Sequence, residues 1–486
     1  MTPEEMLITN GIDALSGRPL IPPLRLSEAA AFLEGAPDDP AVTALLQSIW
    51  RTVKDPDSHY GLPMGIDPAS VPQAGWAIVF HQDEAPTTRE ALAPLIEHRR
   101  GQVAEDRVKV LEYRSGERRA QWLARHGVGA GTVDPTKVPF YLLLVGGPEK
   151  IPFTFGHLLD VEYAVGLLHF DTAEEYARYA ESVISYERYE RHERSETGAP
   201  SARAKEAVFF GTRHDYDRAT QLSADSLVKP LASGALTATG AAERRGFGSL
   251  IHVEDGATKE RLCQLFDPPA GTQPPAFLFT ATHGVGFPSG HPLQWAAQGA
   301  LLCQDWPGFG ALSPEHYFAA ADLPASARVH GLVAFHFACY GGGTPSHDRF
   351  FHKPGMPPPA IAEKPFLAAL PKALLAHPNG GALAVIAHVE RAWGYSIVTA
   401  NAGPQLLPFE NAIGRILSGQ PVGHAMKDFN ERYATLATSL SSLLEEASFG
   451  VTVSDFELVS AWAERNDAEG YVVLGDPAVQ MRVDDL

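Results

Sequence analysis

The chain alternates short, uninterrupted apolar runs with longer amphipathic stretches. From residue 76 the order is WAIVF, a helix expected over 87–100, VKVLEY at 108–113, a helix near 116–126, and FYLLLVGG at 140–147. A second series starts at AVFFG, 207–211, and runs through a helix near 221–232, SLIHV at 249–253 and a helix at 257–266. In that last helix Leu262, Leu265 and Phe266 share one face. Three further apolar runs follow: 276–286 (AFLFTATHGVG), 329–345 (VHGLVAFHFACYGGGTP) and 381–389 (GALAVIAHV). Helices are expected near 409–433, from Phe409, Ile413, Ile416 and Leu417, and near 436–447, from Leu436, Leu440 and Leu443. GYVVLGDPAVQMRV at 470–483 closes the series. Apolar runs of this kind, bounded by turn formers, fit strands buried on both faces of a parallel sheet. Strand–helix alternation implies right-handed βαβ units, so the pattern predicts an α/β fold.

Residues 1–75 break the pattern. They are rich in Pro and turn residues (RPLIPPLRL, GAPDDPAV, GLPMGIDPASVPQAG) and read as an extended lead-in with short helices at 27–34 and 41–53. No chemistry is expected there. Residues 188–206 are charged and small and read as a connection between halves. With 486 residues the chain exceeds the usual size of one core. The expected division is a lead-in over 1–75, an α/β unit over 76–200 and a second unit over 201–486.

Composition narrows the function classes. Apolar residues at 45% and charged residues at 20% describe an ordinary soluble globular protein. A formal charge of −19 disfavours nucleic acid or an anionic membrane as partner, since both need a basic face. The opening MTPEEMLITN lacks the pattern of a secretory signal, and no apolar stretch reaches the length of a membrane span. Cys263, Cys303 and Cys339 cannot form a disulfide framework, so a reducing, cytoplasmic setting with free thiols is expected. His291, His330, His336, His347 and His352 crowd the region of Cys303, but without CxxC, HExxH or HxH spacing no metal is expected. No phosphate-loop motif and no GxSxG elbow is present, and no cofactor is implied.

Two of the apolar runs end in residues that can do chemistry. The first stops at His283-Gly284, the second at Cys339, closely followed by Gly341, Gly342 and Gly343. Reactive groups in parallel sheets gather just beyond the carboxyl ends of the strands. Neighbouring strands would bring an imidazole and a thiol to one edge, and a thiol needs such a base or cation to be nucleophilic. The glycines let backbone N–H groups approach a reacting carbonyl. The plainer alternative is a buried structural cysteine and a histidine that caps a strand end.

His-Gly ending one strand and Ala-Cys-x-Gly ending the next resemble the caspase-type cysteine peptidases, which include gingipains, separases and CHAT proteases. The His precedes the Cys by 339 − 283 = 56 positions, near the caspase spacing of roughly 50. FYLLLVGGPEKIPF, DVEY at 160–163, SYERYER at 185–191 and the Gly-Asp-Pro turn at 475–477 are similar to gingipain-type domains. The resemblance implies a caspase-haemoglobinase fold, a three-layer α/β/α sandwich with a mostly parallel sheet in two tandem subdomains, the second catalytic. It implies that Cys339 is the nucleophile, His283 the general acid/base, and the amides of Gly284 and Cys339 the oxyanion hole. A protein or peptide substrate follows, cleaved at few sites, with gasdermin-like or other bacterial defence effectors as one class. The pocket loop of that family falls on 211–221. Asp217 there would select a basic side chain, whereas Thr220 with Trp393 would select an apolar or small one. The segment 343–362 would be a mobile loop able to gate substrate. The rival expectation is a catalytically silent scaffold of the same fold.

Overall fold

The computed structural model describes residues 6–7, 10–20, 24–25, 62–129, 131–188, 203–234, 237–348, 357–399 and 403–486. The expected helices at 27–34 and 41–53, most of the connection at 188–206, and residues 349–356 lie outside them.

Sixteen strands matter for the site. The first, β1 (Gly11–Asp13), lies in the lead-in. The first series forms β2 (Trp76–His81), β3 (Val108–Tyr113), β4 (Tyr141–Val145) and β5 (Ala164–Leu168). The second begins with β6 (Ala204–Gly211), β7 (Gly248–Val253), β8 (Pro275–Ala281) and β9 (Gly284–Gly286). It continues with β10 (Leu301–Leu302), β11 (Tyr317–Phe318), β12 (Val333–Phe337), β13 (Gly343–Thr344) and β14 (Phe366–Leu367). It ends with β15 (Ala384–His388) and β16 (Tyr471–Gly475).

Ten of these form one sheet in the order β3-β2-β4-β5-β16-β15-β12-β8-β6-β7, with helices on both faces. The fold is the mostly parallel α/β/α sandwich that the apolar runs predict, with β16 antiparallel to β15 at the joint. Every residue of β4, β8, β12, β15 and β16 is buried, because helices cover both faces of the sheet. β3 and β7 close the two ends of the order, and both carry exposed or half-buried residues.

The Gly-Asp-Pro turn after β16 ties the halves together. Asp476 accepts hydrogen bonds from Trp76 Nε1 at 3.0 Å and Arg99 Nε at 2.9 Å. Arg99 also reaches Glu187 at 2.7 Å, so helices Pro86–Arg100 and Ala173–Arg188 share one buried cation with the last strand. The Asp476 N–H in turn donates to the Tyr179 hydroxyl at 2.6 Å. Trp76, Arg99, Tyr179 and Asp476 are buried and Glu187 is partly so, and the carboxylates compensate a cation that burial alone would disfavour.

Three stretches differ from the sequence reading. The helix expected over 409–433 is interrupted: Leu407–Ile416 and Val422–Ala425 precede one long helix, Lys427–Ser448. Gly419 at φ 74° and Pro421 supply the break. A helix at Asp455–Glu469, capped by Ser454 and Glu457, fills a stretch assigned no element. The lead-in is no plain spacer, since β1 joins a second, small sheet in the order β11-β10-β9-β1. The described part of 343–362 is anchored at its base, where β13 pairs with β14 and His347 bridges Ala360. Among the described residues no helix is long and apolar enough to cross a membrane.

Candidate active site

β8 and β12 are neighbouring parallel strands paired from Phe277↔Val333 to Ala281↔Phe337. His283 and Cys339 each lie two residues beyond the last of those pairs, so the register delivers both to one edge at one height. The Thr282 N–H donates to Phe337 O at 3.2 Å and extends the contact past the strand ends. A Cβ on Gly284 would lie 1.7 Å from the Cys339 carbonyl oxygen, so only glycine lets these two backbones approach as they do.

The turn after the thiol is held in an uncommon shape. Tyr340 has φ 58° and Glu390, after β15, has φ 65°, both in the left-handed region that non-glycine residues rarely adopt. Their backbones lock each other: the Tyr340 N–H donates to Glu390 O at 2.6 Å, and the Glu390 N–H donates to Gly343 O at 3.0 Å. Strain of this kind concentrates where a side chain must be aimed against local preference.

Cys339 is fully buried. Its Sγ accepts from the Ala392 N–H at 3.2 Å. Burial pushes the thiol up to about 12, against smaller opposing effects of the Ala392 and Asn10 amides and the Arg391 charge. Arg391 is itself buried, bonding Glu390 at 2.9 Å and also Asp348.

His283 is also buried. Its Nε2 lies 2.5 Å from Asp217 Oδ2, and its Nδ1 has no hydrogen-bond partner among the described residues. Asp217 caps the helix Arg218–Ser223, accepting from Ala219 N and Thr220 Oγ1, each at 3.1 Å. Burial alone would raise this carboxyl. The electrostatic attraction of His283 and the hydrogen bonds from His283, Thr220 and Ala219 outweigh that and hold it at about 2. Thr220, fully buried, is thus occupied by Asp217 and by the His214 N–H at 3.1 Å. Asp217 thus touches the imidazole directly, and Thr220 touches Asp217. No sequence spacing announces this pair, which lie on separate loops, but a helix-capping Asp after the first strand of the second half is a readable signal.

Trp393 is buried, with its N–H on Asp467 Oδ1 at 2.7 Å. It lines a cavity of about 220 Å³ with Glu390, Arg391, Ser346, Phe153 and Pro148. Residues following β4 and residues following β15 therefore border one opening at the same edge of the sheet.

The lead-in supplies the part of this edge that the sequence reading left without a role. The Asn10 N–H donates to Ala392 O at 3.0 Å, and the Gly284 N–H donates to Asn10 O at 3.3 Å. Gly11, Ile12 and Asp13 run parallel beside Gly284, Val285 and Gly286. Nothing in MTPEEMLITNGID distinguishes these residues by pattern, apart from an Asn-Gly step.

The remaining thiols are elsewhere: Cys303 is buried with its Sγ on Leu301 O at 3.4 Å, and Cys263 is half-buried. Among the described residues no cluster of three or more His, Cys, Asp or Glu is placed to hold a metal ion. His336 bonds Thr280 Oγ1 at 2.8 Å and His330 bonds Ser182 O at 2.9 Å, so each satisfies a neighbour.

No family model and no curated protein matches this sequence. Among solved structures the chain is similar to one described as "Structure of Protease", at 14% identity and a TM-score of 0.45, over 84% of this chain and 78% of that one. It is also similar to the complex of the pro- and mature domains of Porphyromonas gingivalis RgpB, at 12% identity and a TM-score of 0.40, over 84% of this chain and 80% of that one.

Proposed function

We propose that the chain is a cysteine endopeptidase in which Cys339 attacks the scissile carbonyl and His283 moves the proton. The observation that carries this reading is the register of β8 and β12, which sets an imidazole and a thiol at equal height on one sheet edge. The Gly284 amide, pressed against the Cys339 backbone, stabilises the developing oxyanion together with the Cys339 amide. Asp217 acts as a positioning residue: its carboxylate fixes the ring of His283 and stabilises the imidazolium. In this reading Asp217 and Thr220 serve the histidine, and Trp393 with the adjoining cavity is left to receive substrate side chains. The substrate is a protein or peptide cleaved at few sites. A partner of the gasdermin-like or other defence class rests on the family resemblance alone.

The rival, a silent scaffold, draws on one observation: the thiol is fully covered and held protonated by burial. A thiol-directed peptidyl electrophile separates the two readings. Labelling of Cys339 together with peptide hydrolysis, both lost in Cys339→Ala and the hydrolysis lost in His283→Ala, is the expected result. Comparable turnover by Cys339→Ala, with Cys263 and Cys303 in place, sinks the assignment.

A further inference from the structure

The lead-in crosses the thiol in the manner of a substrate. Asn10 is held from both sides, its N–H on Ala392 O at 3.0 Å and its carbonyl on the Gly284 N–H at 3.3 Å. The next residue lies on the nucleophile: a Cβ on Gly11 would come within 2.9 Å of Cys339 Sγ. Beyond it, Gly11–Asp13 pairs with Gly284–Gly286, the strand that follows His283. Backbone pairing of this kind is how a peptide is recognised by strand addition.

The side chain of Asn10 is also received. It is 3% exposed, and its Nδ2 donates to Thr282 O at 2.7 Å. A carbonyl oxygen at that point demands a donor. Asparagine supplies one, while an ionised aspartate of the same shape would set its charge against the carbonyl without a proton between them. Asn10 Oδ1 is buried with no partner among the described residues, so the amide is only half satisfied. On the other side Gly11 fits closely, since a Cβ there would meet Leu20 Cδ1 at 2.4 Å as well as the thiol, and Leu20 would have to turn away.

We propose that Asn10–Gly11 is a built-in substrate bond, cut by the chain's own Cys339, and that the same pocket selects asparagine on the acyl side of other substrates. The proposal rests on the peptidase reading and adds its specificity and its latency. In the first step the Cys339 thiol passes its proton to His283 and Sγ bonds to the Asn10 carbonyl carbon. The bond to Gly11 nitrogen then breaks as that nitrogen takes the proton from His283. Water adds to the thioester, the S–C bond breaks, and the proton returns to sulfur. One water is consumed, leaving a carboxylate on Asn10 and an amine on Gly11.

The two sides of the cut are held differently. Ile12 and Ala14 belong to an apolar cluster with Val285, Leu302 and Trp306, and Leu20 N–H folds back onto Gly11 O at 2.9 Å. The strand starting at Gly11 therefore stays in the small sheet. The piece ending at Asn10 keeps its polar contacts across the thiol and a two-residue pairing of Met6 and Leu7 with Arg25 and Leu24, and its departure opens the Asn10 side of Cys339.

Intact-mass and N-terminal sequencing of the purified full chain test this, with Cys339→Ala, Cys339→Ser and Asn10→Asp alongside. The wild type is expected to begin at Gly11, both cysteine variants to retain the bond, and Asn10→Asp to slow the cut at least tenfold. Fluorogenic peptides with Asn at the acyl position should turn over at least tenfold faster than those with Asp or Arg. Asn-Gly bonds also break without an enzyme, through attack by the side-chain amide. Equal cleavage in wild type and both cysteine variants assigns the break to that route and overturns the proposal. A wild type that hydrolyses peptides yet keeps Asn10–Gly11 intact, or prefers Arg or Asp, overturns the proposal and leaves the peptidase standing. An intact bond with no peptide hydrolysis and no labelling of Cys339 removes the peptidase reading itself.

Discussion

Replacing Asp217 by Asn or Ala separates a residue that orients the imidazole from one that reads substrate. The carboxylate lies 2.5 Å from His283 Nε2, with its side chain 15% exposed, and is held at about 2 against an ordinary value of 3.8. A drop of that size corresponds to roughly 2 kcal/mol of preference for the charged form in the folded state. The folded value is depressed, so this stabilisation is complete above about pH 4 and is lost as pH falls through about 2. Urea denaturation at pH 7 should find Asp217→Ala less stable than wild type by roughly 2 kcal/mol, with the gap narrowing below pH 4. Kinetically, kcat should fall at least tenfold for every substrate while the ranking of acyl-side residues stays the same. A variant with normal kcat but an altered ranking, above all lost cleavage after Arg or Lys, would refute the positioning role and return Asp217 to a specificity pocket.

Two further substitutions probe the frame. Gly284→Ala places a Cβ 1.7 Å from the Cys339 carbonyl oxygen, so the two strand ends must part; a cost of about 3 kcal/mol in chemical denaturation and loss of turnover are expected, and wild-type activity would contradict the packing. Arg99→Met leaves buried Asp476 and partly buried Glu187 without their shared cation, and should cost about 3–5 kcal/mol at neutral pH without changing the ranking of substrates. A melting curve unchanged by Arg99→Met would show that the joint between the halves does not depend on this cation.

The sequence alone determined the sheet and the ends of its strands. Runs such as AFLFTA and VAFHF are apolar on both faces, which only a doubly covered parallel sheet accommodates, and His283 and Cys339 stand out because the runs stop at them. The break inside 409–433 and the capping box at Ser454 and Glu457 were equally written in Gly419, Pro421 and the Ser-x-x-Glu spacing. Other features depend on contacts between residues far apart in the chain, and periodicity carries no information about those. The partnership of Asp217 with His283 spans 66 positions, and the turn at Asp476 finds Arg99 across 377. The largest gap was the lead-in. Asn10 and Gly11 sit in a stretch too short and mixed to show any period, and their place depends on the distant backbones of Gly284 and Ala392. Strand addition uses main-chain N–H and C=O groups that every sequence carries. A segment recognised that way leaves almost no trace in its side chains, and only the assembled edge of the sheet reveals where it lies.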